Sequence, residues 1–135
     1  MTWSTFSKNF IARGCQPVSA RAGETVRILV LGELILGKRP PVRSLEAMLY
    51  VRDSGRAHDF VPDDRDEFPV RRFFGRVEEF KPEGTKWSLI AVFELPADAV
   101  GNYQLLVGWR DQGKRRGQFS PVDAGEKGAL FEVTP

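Results

Sequence analysis

The sequence predicts an all-β protein, a two-sheet antiparallel β-sandwich of about seven to nine strands. Three observations carry that expectation. Residues 87–95 and 103–109 each carry an apolar residue at every second position, a period of two that marks strands. Thirteen glycines and nine prolines interrupt 135 residues at short intervals, which suits many short strands joined by turns. No stretch presents a convincing 3.6-residue apolar period, so no helix is expected beyond one turn at residues 97–100.

Taken in order, residues 3–12 bring Trp3, Phe6, Phe10 and Ile11 and form an edge strand or a tail within residues 1–22. Gln16-Pro17 breaks the chain, and residues 18–21 suit a short edge strand, where a nearby proline is tolerated. Residues 24–36 place Val26, Ile28, Val30, Leu34 and Leu36 on one face and Arg27, Leu29, Leu31, Glu33 and Ile35 on the other. Gly32, on the apolar face, marks a bulge or bend. Residues 45–51 turn Leu45, Ala47, Leu49 and Val51 inward, and Met48 and Tyr50 outward. Residues 53–70 read as a long polar connection with six acids. A mixed strand over 70–80 turns at Pro82-Glu83-Gly84 into the strand at 87–95, a hairpin. That strand sends Trp87, Leu89, Ala91, Phe93 and Leu95 inward, and Tyr103, Leu105, Val107 and Trp109 do the same in the next. A turn at 111–113, the segment KRRGQF, a loop at 120–128 and a last strand at 129–133 complete the chain.

The corner at residues 96–103 adds a resemblance. Asp98, Gly101 and Tyr103, followed by an inward Leu105, are similar to the tyrosine corner of immunoglobulin-like and fibronectin-like domains. There an acidic residue, a small residue and a tyrosine open the penultimate strand, and disulfide-bearing members place cysteine where Leu105 stands. Asp98 lies farther from the glycine than in that family, and Leu49 or Tyr50 stands where a buried tryptophan is usual. The resemblance implies an immunoglobulin-like fold over roughly residues 24–133, with Asp98, Gly101 and Tyr103 as its structural corner. It implies no particular activity, because this fold serves many.

At 135 residues and 41% apolar composition, a single domain over residues 1–135 with one core is expected. The net charge is +2, unevenly spread: residues 1–52 carry eight Lys/Arg against three acids, and residues 53–111 carry eight against twelve. One cysteine, Cys15, excludes an internal disulfide. The start lacks the apolar core of a secretory signal, and the run ILVLGELIL is too short to cross a bilayer. A cytoplasmic setting without membrane insertion is the expectation.

The residues that could carry chemistry do not assemble into a motif. GxSxG, HExxH, CxxC and P-loop patterns are all missing. Glu78 and Glu79 alternate across a strand and should face opposite ways, which rules out a carboxylate pair. Cys15 lacks a nearby base and reads as a small, partly buried thiol. His58 lies among Asp59, Asp63, Asp64, Asp66 and Glu67, a set that matches no calcium loop and reads as a solvated segment. No catalytic residue, metal or cofactor is therefore expected. Two basic groups are candidates for anion binding: Arg71, Arg72 and Arg76 beside Phe73 and Phe74, and Arg110, Lys114, Arg115 and Arg116. Residues 52–76 hold six basic and six acidic side chains, which gives no extended positive groove and ranks nucleic acid low among partners. Trp3, Trp87 and Trp109 could stack on a sugar, yet Trp87 and Trp109 are in phase with the core.

The more specific expectation concerns the outward apolar residues. Alternation turns Leu29, Leu31, Ile90 and Val92 outward, and the strand order that the resemblance implies sets them together on one sheet, with Met48, Tyr50 and Leu106 together on the other. Such apolar patches mark contact sites. One of the two is expected to be covered within the chain, by the tail with Trp3, Phe6 and Phe10 or by the segment with Phe73 and Phe74, and the other by a partner or second subunit. The sequence thus points to a non-catalytic protein-interaction or assembly module, with a protein partner or a homo-oligomer. A carbohydrate- or small-ligand-binding module of surface-glycan machinery comes next, and a nucleic-acid-binding accessory protein after that.

Overall fold

In the computed structural model, which describes residues 3–6, 9–35, 45–50, 60–62, 72–110 and 117–135, the alternating segments become strands. They are β1 Trp3–Phe6, β2 Phe10–Gln16, β3 Ser19–Arg21, β4 Thr25–Leu34, β5 Leu45–Tyr50, β6 Phe60–Pro62, β7 Arg72–Glu83, β8 Lys86–Glu94, β9 Gly101–Arg110, β10 Gly117–Val122 and β11 Phe131–Thr134. No helix occurs among the described residues.

Hydrogen bonding links the strands in the order β2-β4-β8-β7-β5-β9-β10-β1-β6, with β11 joining β9 to β3. The expected two separate sheets are thus one curled, open sheet. The reason lies in β7, whose first residues pair with β5 (Ala47↔Gly75 to Tyr50↔Arg72) and whose remainder pairs with β8 (Arg76↔Val92 to Glu83↔Lys86). The amino-terminal segment also changes partners. Strand β1 runs parallel to β10, while β2 pairs antiparallel with β4. Where β2 passes β10, the Ala12 N–H donates to Ser120 Oγ at 2.8 Å, tying the two strands together.

The two halves of the curl enclose one core. Val26, Ile28 and Val30 from β4 and Leu89, Ala91 and Phe93 from β8 meet Leu45, Ala47 and Leu49 from β5 and Tyr103, Leu105 and Val107 from β9. Trp87 stacks on Phe10 with ring centroids 4.2 Å apart, and Trp109 meets Phe10 edge-on at 5.5 Å. Gly32 is not a bulge. It stays in register with Trp87, and a methyl group there would collide with the indole and with the Ile11 carbonyl. The irregularity lies in the partner strand instead, between Ala12 and Gly14 of β2.

A second bulge reshapes β7. Glu78 opposes Ile90 and Lys81 opposes Ser88, so one residue is extra, and Glu79 takes φ 52°. The extra residue lets Val77 and Phe80, three apart, both pack on the core. Three further features lay beyond the sequence reading. The polar connection over 53–70 contributes β6, paired with β1. Strand β10 continues through Ser120-Pro121 to Val122. Residues 123–130 divide the last edge, so that β10 pairs with Leu105–Arg110 of β9 and β11 with Gly101–Tyr103. Gln104, buried at that division, donates from its side-chain amide to the Val122 carbonyl at 3.2 Å.

Candidate interaction surface

Strands β4 and β8 pair antiparallel from Thr25↔Glu94 to Glu33↔Lys86. Their inward residues fill the core, so alternation places Arg27, Leu29, Leu31 and Glu33 beside Val92, Ile90, Ser88 and Lys86 on the outer face. Leu29 is 36% exposed and Leu31 52%; Ile90, opposite Leu29, is half-buried. Ile35, just past β4, is 52% exposed and extends the strip. Val92 does not belong to it. It is 2% exposed and stands in register between Arg27 of β4 and Arg76 of β7.

Charged groups border this strip. Glu78 accepts from Arg27 Nη1 at 2.8 Å and from Arg76 Nε at 3.0 Å. Those bonds, with the two positive charges, hold the Glu78 carboxyl below its ordinary range. Arg76 also lies 3.9 Å from Glu94, and Arg13 on β2 lies 3.4 Å from Glu33. Glu79 comes within 4.0 Å of Arg27, so the two glutamates flank the same arginine rather than opposite faces. The bulge at Glu79 is the physical reason for that correction. Both carboxylates serve ion pairs, and these exposed pairs contribute little stability individually.

The other expected patch is not a surface. Met48, Tyr50 and Leu106 do come together, joined by Phe119, but their exposures are 1%, 3%, 0% and 0%. The backbone register explains the assembly, since Met48 lies opposite Leu106 on neighbouring strands and β10 brings Phe119 alongside β9. The cluster is a second, smaller core on the far side of β5 and β9. Periodicity shows which side of a strand a residue takes, not whether that side is covered.

The anion candidates separate. Arg76 is engaged with Glu78 and Glu94, and Arg72 lies over the Phe74 ring at 5.8 Å. Arg71, Lys114, Arg115 and Arg116 fall outside the described residues, as does the side chain of Arg110. His58, Asp59, Asp63, Asp64, Asp66 and Glu67 also lie outside them, as do Leu36 and Val51. Trp87 is buried and Trp109 half-buried against the core, which leaves neither as an open stacking platform. Cys15 is half-buried. Burial, with a smaller contribution from the Asp123 carboxylate, pushes its thiol up to about 11, so it stays protonated near neutrality and lies 3.8 Å from the Asp123 carbonyl.

At the corner, Tyr103 is fully buried and its hydroxyl donates to the Ala99 carbonyl at 2.5 Å. Ala99 N–H donates in turn to Pro96 O, closing the turn. Gly101 takes φ 154°, outside the range that L side chains favour, while Asp98 is exposed. Sequence reasoning put Ile35 on the face of Leu29 and Leu31 but left it out of the apolar patch. It also missed Phe119 in the second core, where no periodic partner pointed to it.

Comparison with protein-family models, with curated proteins and with solved structures finds no match to this chain. Among the described residues, no helix is long and apolar enough to cross a membrane.

Proposed function

We propose that this chain is an immunoglobulin-like β-sandwich module that works without catalysis, inside the cell, by binding another protein chain through the outer face of β4 and β8. One observation carries the reading: Leu29, Leu31 and Ile90 form a contiguous apolar strip held in strand register and open to solvent. Isolated exposed apolar side chains are ordinary, but neighbouring ones on a rigid sheet favour a contact site. The immunoglobulin-like part of the proposal is supported by the Tyr103–Ala99 bond and by β3, which runs parallel to the last strand while β2 pairs with β4. The carbohydrate reading loses Trp87 and Trp109 to the core, and the nucleic-acid reading loses Arg76 to ion pairs.

The test is photo-crosslinking in cells that express the full chain. A crosslinking amino acid at position 31 or 35 should give adducts with a second polypeptide. One at position 100, where Val100 is 46% exposed on the corner, should give few. Equal adduct yields at all three positions would contradict the proposal.

A further inference from the structure

Resting on that reading, we infer that the partner of this face is a second copy of the same chain, stacked with its strands antiparallel. The charge pattern of the face selects this occupant. Its arginines are matched by acids at short range, Arg27 and Arg76 by Glu78 and Arg13 by Glu33, so the surface offers no single-sign field for a polyanion or an anionic membrane. What remains complementary is arranged along β8. Lys86 stands at one end of that strand and Glu94 at the other, with the apolar strip between them. Both are exposed, and the Glu94 side chain, 78% accessible, meets Arg76 only at the long distance of 3.9 Å, an exposed pair that a closer lysine can replace.

A two-fold axis lying in the interface across the middle of β8 brings Ile90 near its own symmetry mate. It also sets Lys86 of each copy against Glu94 of the other, so the contact is made twice. Aligned sheets pack about 10 Å apart face to face; with this axis Leu29 and Ile90 meet their own mates across that gap, and Leu31 of each copy lies over Arg27 of the other. Opposite charges at the two ends also reject the parallel stacking, which would set Glu94 against Glu94. The buried strip is small, and a reversible dimer with Kd on the order of micromolar is expected.

Sedimentation equilibrium of the full chain from about 1 µM to 1 mM reads this directly. The mass should rise from 15.2 kDa toward twice that value. Lys86→Glu or Glu94→Lys alone should weaken the dimer about tenfold or more, and the two together should restore it. Leu31→Lys should abolish it, with the circular dichroism of every variant matching that of the wild type. A wild-type monomer throughout the range overturns the inference, and so does a dimer indifferent to single reversals or not restored by the exchange. If the chain is monomeric yet position 31 still crosslinks to a different polypeptide in cells, the second-copy inference fails and the interaction proposal stands. If neither occurs, both fail.

Discussion

Strands β4 and β9 carry nearly the same sequence pattern and meet different surroundings. In β4 burial alternates strictly from Thr25 to Leu31, with Val26, Ile28 and Val30 inside and Arg27, Leu29 and Leu31 outside. In β9 every residue from Tyr103 to Gly108 is buried. Both strands hold consecutive apolar residues, Ile28-Leu29-Val30-Leu31 in one and Leu105-Leu106-Val107 in the other. A continuous apolar run is what two buried faces require, and β9 has them: the main core on one side, and Met48, Tyr50 and Phe119 on the other. β4 has the run and only one covered face. Its uncovered leucines, Leu29 and Leu31, are therefore the ones on which the proposed contact rests.

This contrast can be broken first at Leu106. A lysine there would put a charge into a fully buried site beside Met48 and Phe119, costing about 4 kcal/mol or more and leaving little folded protein. Urea unfolding of Leu106→Lys should show no native baseline, and a midpoint near that of wild type would mean that the second core is not closed.

Next in size is Tyr103→Phe, on the inner side of the same strand. It leaves the Ala99 carbonyl without its donor and should cost about 1–3 kcal/mol, read as a lower denaturant midpoint at unchanged slope. An unchanged midpoint would remove the corner as a source of rigidity for β9. Smallest of all is Leu31→Lys. At 52% exposure the longer side chain keeps its stem on the sheet and its ammonium in water, so at protein concentrations that keep the chain monomeric stability should move within about 0.5 kcal/mol.

The same contrast shows what could be read from the chain alone. The inward sets of β4, β5, β8 and β9 were legible because a two-residue period needs only local sequence. The corner was legible too, since Tyr103 and Gly101 act within a few residues of each other. Glu79 was not, because a bulge breaks the period that would reveal it; the trace it left was Val77 and Phe80, both apolar at a spacing of three. Strand β6 depends on pairing with β1, more than fifty residues away, and Ser120-Pro121 reads as a loop until Ala12 supplies the partner for Ser120 Oγ. The outer strip was legible in part. Phase turned Leu29, Leu31 and Ile90 outward and the strand order implied by the resemblance set them side by side, but which of the two patches is covered, and the burial of Val92, come from nonlocal packing.

Oxidative footprinting by hydroxyl radicals, run on dilute and concentrated protein and read residue by residue, reaches the central distinction most directly. Met48, Tyr50 and Leu106 should be protected at every concentration, despite the high intrinsic reactivity of methionine. Leu29, Leu31 and Ile35 should be modified in dilute solution, with Leu29 and Leu31 becoming protected as concentration rises. Modification of Met48 in the dilute native protein, or of Leu31 to the same extent at both concentrations, would contradict the division into one covered face and one contact face.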